Sequence, residues 1–364
     1  MAVLDFTSAL YLGLRHPSPS LGSWSGLTTG KPAALQSPPG SVAVAGRFAA
    51  LVGCESASPV ASTLHLFWDL FGIFATDRVR IYMDQGTYAI ARWGVERAAA
   101  GGIPVRRFPH HDAATLRTLI EQDRSAGRRP VVVADGFCPG CGSTAPLAEF
   151  LKCVAPYHGH VVLDDTQALG VFGKQDGTSY GRGGGGSLRW QGIKSPDVIV
   201  GSSLAKGFGV PMAVLAGSAA MIRGFEARSE TRVHCSPPSQ AVLRAAEHAL
   251  AVNRSHGDHL RRLLAQLVRR FREGLHALGL AADGGLFPVQ TLKPAGVAAE
   301  ILYRRLLHLG VRTVVIRRCR EISAQVAFLI TALHRPADID RAVEAIGRAM
   351  KFDPSIQQPA ARAS

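Results

Sequence analysis

Lys206 lies in the string S-S-L-A-K-G-F-G (202–209), directly after the apolar run Val198-Ile199-Val200. Upstream, a second apolar run, Val161-Val162-Leu163, ends in the paired acids Asp164-Asp165. A lysine amine can form a Schiff base with an aldehyde. A carboxylate at a nearby strand end can keep a pyridine nitrogen protonated, so that the ring withdraws electrons from a bound substrate. Together they are the equipment for holding pyridoxal 5'-phosphate (PLP). Either residue alone says little: a lysine before glycine is usually a solvated loop residue, and many strands of α/β proteins end in Asp. The reading therefore depends on the order and spacing of further pieces.

The elements that would position the pair are legible from hydrophobic periodicity. Residues 1–40 are rich in Ser, Gly and Pro and read as an extended N-terminal arm. A helix is expected over 42–54 and another over 61–74. From Val79 short strands (79–83, 103–108, 130–134, 160–164) alternate with helices (86–100, 112–126, 145–156). Repeated βα units imply a mostly parallel sheet sandwiched by helices, whose ligands bind at the carboxyl ends of the strands. Asp164 occupies such an end. Strands are expected again at 197–201 and 213–216. The glycine run Gly183–Gly186 lacks the Lys-Ser/Thr and helix of a phosphate loop, and reads as a flexible surface loop. A long helix over 238–277, broken near Asn253–Gly257, leads into a small α+β domain. That domain has strands at 288–292, 311–316 and 325–331 and helices at 295–309 and 336–350. The division predicted is an arm (1–40), a large α/β domain (41–245), a small C-terminal domain (246–353) and a disordered tail (354–364).

At 364 residues and 47% hydrophobic content, the chain can bury a large core. No apolar stretch reaches 18 residues and Met1–Leu14 lacks the pattern of a secretory signal, so neither a membrane span nor export is expected, and a cytoplasmic location is. The net charge of +14 raises nucleic-acid binding. The basic residues are mostly scattered Arg, however, with the densest runs (Arg261-Arg262, Arg269-Arg270-Arg272, Arg304-Arg305) on the polar faces of helical patterns, and no nucleic-acid partner is expected. A basic surface also suits an anionic thioester or an acidic carrier protein. Cys138-Pro139-Gly140-Cys141 is the one suggestive cysteine pair, and a zinc or redox site would recruit Cys153, His158 or His160. Without a second CxxC the simpler reading is a Gly/Pro turn holding two thiols, and no metal is expected.

Three motifs, in order, carry a resemblance: A-D-G-F-C-P-G-C-G-S-T-A-P-L (134–147), L-D-D-T-Q-A-L-G-V-F-G (163–173) and S-S-L-A-K-G-F-G (202–209). With L-D-F-T-S-A-L-Y-L-G-L (4–14), they resemble the α-oxoamine synthases. That family includes 8-amino-7-oxononanoate synthase and belongs to the fold type I PLP-dependent enzymes. The resemblance runs from about Leu4 to about Ala349.

It implies a role for each matching residue. Lys206 takes the place of the Schiff-base lysine and Asp164 that of the carboxylate on the pyridinium nitrogen. Ser203 matches a hydroxyl that contacts the phosphate. Ser62-Thr63 fall where backbone N–H groups at a helix start cradle it. Tyr88 replaces a stacking histidine, and an aromatic can stack equally well. Gln167 replaces a histidine near the ring hydroxyl and keeps a hydrogen-bond donor without the switchable charge. Each also has a plain structural reading: a packed aromatic for Tyr88, a helix cap for Ser62, a helix-facing amide for Gln167.

The substrate half departs from the pattern. The family's Asn before Tyr-Leu-Gly is Ala9, a loop serine is Pro139, and the arginine that grips the substrate carboxylate is Ala327. Arg317, Arg318 and Arg320 are the nearest replacements. The resemblance implies a homodimer with a shared active site, in which His234 or Ser236 would reach the neighbour's phosphate. The implied reaction is acyl transfer, condensing an amino substrate with an acyl thioester on coenzyme A or a carrier protein. Alternatives are an aminotransferase or other PLP reaction on the same fold, and a PLP-fold partner protein without catalysis.

Overall fold

The computed structural model describes residues 3–293, 298–316 and 324–351. Arg317, Arg318, Arg320 and the expected tail at 354–364 lie outside the described residues. The chain packs as two compact units, Ala9–Leu263 and Met1–Ser8 with Leu264–Ser364.

The first elements are β1 (Leu4–Asp5), α1 (Ser41–Val52), β2 (Ser56–Val60), α2 (Thr63–Phe74), β3 (Val79–Asp84) and α3 (Ala89–Ala100). There follow β4 (Val105–Phe108), α4 (Ala113–Asp123), β5 (Arg129–Asp135), β6 (Phe137–Cys138), β7 (Ser143–Thr144), α5 (Leu147–Val154) and β8 (His160–Asp164). Next come α6 (Ser187–Gln191), β9 (Val198–Ser203), β10 (Ala213–Gly217), α7 (Ala219–Arg228), α8 (Glu230–His234) and α9 (Gln240–Ala277). The last are β11 (Val289–Leu292), α10 (Ala299–His308), β12 (Val311–Arg312), β13 (Val314–Ile316), β14 (Gln325–Leu329) and α11 (Pro336–Met350).

In the larger unit seven strands form one sheet in the order β2-β10-β9-β8-β5-β3-β4. The run from β9 to β4 is parallel, while β10 is antiparallel to both of its neighbours, β9 and β2. The parallel strands are near-continuous Val, Ile and Leu because helices cover both of their faces. Val131, Val133, Val162 and Ile199 face a core shared with Phe67 and Phe71 of α2. Gly94 lets α3 close onto α2, since a Cβ there would meet the Phe67 carbonyl oxygen at 2.7 Å.

In the smaller unit β11, β14 and β13 form an antiparallel sheet. β1 pairs in parallel with β12, so Leu4–Asp5 are a strand of this unit. Arg270 and Asp340 tie α9 to α11 at 2.6 Å.

Three expectations are corrected. The long helix is unbroken, without the break expected near Asn253–Gly257. Gly257 is not a break: a Cβ there would meet Asn253 Oδ1 at 2.5 Å and Arg261 Nη2 at 2.7 Å, so it makes room for both. Arg261 is not on the polar face but 1% exposed. The run Gly183–Gly186 is not a loose surface loop, since Gly184, Gly185 and Gly186 are buried. Their missing side chains admit Arg261, the Leu51 carbonyl and Asp165 at 2.0–2.5 Å from where each Cβ would stand.

Candidate active site

Three neighbouring parallel strands end in carboxylates: Asp84 on β3, Asp135 on β5 and Asp164 on β8. Asp135 and Asp164 are register partners. All three lie on the carboxyl edge, where this class of sheet binds its ligands. Lys206 follows β9, the next strand over. Asp164 N–H aside, its Oδ1 accepts the Thr166 N–H at 3.1 Å, and Asp135 Oδ1 accepts the Tyr88 N–H at 3.0 Å.

Electrostatics couple the group. Burial pushes the Asp164 carboxyl up, against the bonds from Thr166 and the attraction of Lys206. Asp135 is held well above the usual carboxylate range by burial first, then by the charge of Asp164. Burial lowers Lys206, while Asp164 and Asp135 act in the other direction. A buried amine so placed gives up its proton more readily than a solvated one, as a nucleophile or base requires. The two carboxylates also make the edge receptive to a further cation, since desolvated like charges on adjacent strands repel. A protonated ring nitrogen fits that demand.

The Lys206 loop is fixed by close backbone contact. A Cβ on Gly207 would meet the Leu169 carbonyl oxygen at 2.4 Å, and one on Gly170 (φ +88°) would meet the Gly207 Cα at 2.9 Å. The two glycines thus let the Lys206 loop lie on the turn after Asp164. Arg261 holds that turn, donating from Nη1 to the Gly170 carbonyl and to Asn253 Oδ1, each at 2.9 Å. Beside it Asp165 takes the Ser187 N–H at 2.9 Å and the Ser187 hydroxyl, and burial still raises it to about 7.

The other residues expected at the site fall into groups. The Tyr88 ring is 56% exposed and its centroid lies 5.8 Å from Lys206 Nζ, leaving a face open. Ser203 donates its N–H to Thr166 Oγ1 at 2.9 Å, and its hydroxyl accepts from Ala205 N–H at 3.2 Å. Val60 and Ser203 are both register partners of Ala213, so Ser62 and Thr63, just beyond Val60, reach the same sheet edge as Lys206. Ser62 caps α2, leaving first-turn N–H groups at that edge. Gln167 Oε1 accepts the Tyr11 hydroxyl at 2.7 Å, which leaves the amide NH2 to donate outward. His234 and Ser236 are exposed around the end of α8 and make no hydrogen bond to these residues. Ala327 is fully buried mid-strand between Thr291 and Val314, and Pro139 sits in the turn between β6 and β7.

Sequence reasoning missed Asp135, Tyr11 and Arg261. Asp135 had a signal: it ends an apolar strand just as Asp164 does. Tyr11 and Arg261 act through distant partners, which no local pattern reports. For the cysteine pair, the nearby side chain is His110, not Cys153, His158 or His160. Cys153 Sγ faces the Ala113 carbonyl at 3.7 Å, and His160 begins β8.

The chain matches the family "Aminotransferase class I and II" over residues 61–346. It is 29% identical over 256 residues to 8-amino-7-oxononanoate synthase of Alcanivorax borkumensis, covering 69% of this chain and 63% of that protein. It is 31% identical over 273 residues to the enzyme of that name from Pseudescherichia vulneris, covering 73% and 66%. The chain thus spans less than two thirds of the length of the curated relatives it matches. The fold is shared with 8-amino-7-oxononanoate synthase of Francisella tularensis (TM-score 0.74, 19% identity, covering 96% of this chain and 98% of that one). It is also shared with Sphingomonas wittichii serine palmitoyltransferase (TM-score 0.83, 18% identity, covering 95% and 87%).

Proposed function

Because the chain belongs to the class I and II aminotransferase family, we propose that it is a PLP-dependent acyltransferase that condenses an amino substrate with an acyl thioester to an α-amino ketone. The observation that carries this reading is the Lys206 amine coupled to two buried carboxylates, Asp164 and Asp135, at the carboxyl edge of the sheet. The names of its relatives at about 30% identity support the acyl transfer.

In this reading Lys206 would hold the cofactor covalently and Asp164 its ring nitrogen, Tyr88 would stack on the ring, Gln167, positioned by Tyr11, would donate to the ring hydroxyl, and Ser203 and the start of α2 at Ser62-Thr63 would take the phosphate. Bound there, PLP supplies an electron sink next to the substrate's Cα. The residues do the rest. The Lys206 amine would take the Cα proton as general base, and burial, which lowers its pKa, favours the neutral form that this requires. Asp164 keeps its counter-charge in place throughout, because Thr166 fixes one of its oxygens.

The resemblance would pass the role of the family's carboxylate-gripping arginine, which is Ala327 here, to Arg317, Arg318 or Arg320, which lie outside the described residues. The substrate is therefore expected to differ from that of the relatives, and the strongly basic chain suits an anionic thioester on coenzyme A or a carrier protein. The protein would work in the cytoplasm as a homodimer, with His234 or Ser236 serving the neighbouring site. A transaminase is the competing reading, since it uses the same lysine and aspartate and needs no acyl thioester.

Borohydride reduction of the PLP-loaded full chain, followed by peptide mass spectrometry, is expected to place the pyridoxyl group on Lys206, and Lys206→Ala to lose it. Rates with pooled amino acids and acyl thioesters should fall by at least ~10²–10⁴-fold in that variant. Net conversion of the cofactor aldehyde to an amine by an amino donor alone would favour the transaminase. No PLP uptake at all would sink both readings.

A further inference from the structure

The sequence C-P-G-C-G (138–142) closes a two-stranded hairpin: β6 ends on Cys138, β7 begins at Ser143, and the pair is antiparallel. Gly142 has φ +72° and donates its N–H to the Cys138 carbonyl at 2.9 Å, folding a turn that keeps the two sulfurs within 4.8 Å of each other. Cys141 Sγ lies 3.9 Å from the Cys138 carbonyl oxygen and 2.9 Å from Ser143 Oγ. A tight hairpin that presents two cysteine sulfurs close together is a common holder for metal-ligating thiolates.

A third donor comes from another strand. His110, just beyond β4, points Nε2 at Cys141 Sγ across 3.4 Å. Its other nitrogen, Nδ1, lies 2.7 Å from Asp84 Oδ1. Asp84 is 1% exposed and is itself fixed by the N–H groups of Gly86 (2.6 Å) and His111 (2.8 Å). A buried carboxylate on one ring nitrogen with the other aimed at a ligand cluster is the outer-shell arrangement that orients metal-bound histidines. His111 adopts φ +59°, an uncommon backbone for a non-glycine residue, to complete that cradle.

The dimensions fit. The ligand atoms of His110, Cys138 and Cys141 all lie within 4.8 Å of one another. Tetrahedral zinc with ordinary bond lengths puts nitrogen and sulfur ligands about 3.6 Å apart and two sulfurs about 3.8 Å apart. Cys141 is exposed, so an ion has a path in from solvent.

We propose that His110, Cys138 and Cys141 form a three-ligand site for a zinc-class divalent ion, with Asp84 as the residue that orients His110 and water in the fourth position. Its three ligands are separate from the residues proposed to hold the cofactor, and only Asp84, at the end of the strand beside Asp135, borders both. Its place in the chain gives it a consequence: Asp84 opens the segment that leads to Tyr88, so the ion would brace the loop that presents that ring.

The test uses the full chain, reduced and free of added metal, titrated with zinc alone by calorimetry and with cobalt(II) by absorption. One equivalent is expected to bind, with thiolate-to-cobalt charge transfer and the intense visible bands of a tetrahedral centre. Cys138→Ser, Cys141→Ser and His110→Ala should each weaken binding at least tenfold, and Asp84→Asn on the order of ten- to a hundredfold. Cys153→Ser and Lys206→Ala should bind as the parent does, which separates this site from the proposed cofactor site. Near-ultraviolet circular dichroism checks that each variant is folded. Should a variant not fold, the cobalt spectrum of the parent decides alone: without sulfur charge transfer the proposal fails. It also fails if Cys141→Ser binds as tightly as the parent. A Cys138–Cys141 disulfide in the purified protein, with no metal uptake after reduction, would make the pair a redox couple instead.

Discussion

At the scale of single residues, the site is defined by acids that burial makes reluctant to ionise. Asp165 is raised from 3.8 to about 7, and Asp135 and Asp164 are raised too. For a carboxyl whose native pKa lies above its unfolded value, the folded state binds a proton that the unfolded chain has already lost. Stability from that group is therefore full below the unfolded pKa and falls as pH climbs through the native one. For Asp165 the loss across that window is roughly 4 kcal/mol. The cofactor-free protein is thus expected to melt at a lower temperature at pH 8 than at pH 5. PLP should recover part of the difference, because a cationic ring nitrogen relieves Asp164 and Asp135. Asp135→Asn should flatten the pH slope of the cofactor-free protein. Thermal unfolding of parent and variant across this range, with and without PLP, measures both. An unchanged slope in the variant would mean that Asp135 carries no such burden. Asp164 and Lys206 were legible because each ends or follows an apolar run. Asp135 has the same signature, at the end of the apolar run Val131-Val132-Val133-Ala134.

At the scale of elements, periodicity located β3, β4, β5, β8, β9 and β10 to within a few residues, because strands buried on both faces must be apolar throughout, but it missed the edge strand β2, whose S-A-S-P-V is not an apolar run. It failed where a residue's reason lies in another element. Asn253 and Gly257 look like helix breakers, yet Asn253 donates to the Gly183 carbonyl at 2.9 Å and Gly257 makes room for Arg261. The glycine run Gly183–Gly186 looks mobile and is instead a packing surface for Asp165 and Arg261. Glycine reports small size as readily as freedom, and sequence alone does not say which. Gly207 makes the distinction testable. Its backbone is not left-handed, so Gly207→Ala strains nothing locally, but the new Cβ would meet the Leu169 carbonyl oxygen at 2.4 Å. The loops must then part, which should cost about 1–3 kcal/mol and displace Lys206. Thermal unfolding should show a melting point several degrees lower, and PLP titration a weaker complex. Gly177→Ala is a control for left-handed backbone alone, since it has φ +86° and no atom within 4 Å of a new Cβ. Equal PLP affinity in Gly207→Ala would show that the Lys206 loop does not depend on this contact.

At the scale of the whole molecule, the larger unit exposes apolar side chains on the two helices that start at the proposed site. Leu64 and Trp68 lie one turn apart on α2 and are 45% and 43% exposed, and Trp93 on the adjacent α3 is 48% exposed. Arg97 crosses the Trp68 ring at 4.3 Å and is held by Glu230 at 2.7 Å, so one edge of the patch is already fixed in place. Helix α2 begins at Ser62, where the phosphate is proposed to bind, and α3 begins after Tyr88. A second copy covering these helices would therefore also close over the cofactor. A stable homodimer needs about 800 Å² from each partner, and two tryptophans near its centre would carry much of the affinity. Light scattering of the parent is expected to give a dimer. Trp93→Glu should shift it to monomer and lower PLP affinity at least tenfold, while leaving the far-ultraviolet circular dichroism unchanged. His234→Ala should weaken PLP binding in the dimer and have no further effect in the Trp93→Glu monomer, since a residue that acts across the interface loses its role once the interface is gone. Additive losses in the double variant would place His234 in its own subunit's site. A Trp93→Glu protein that stays dimeric would place the interface on another face of the molecule.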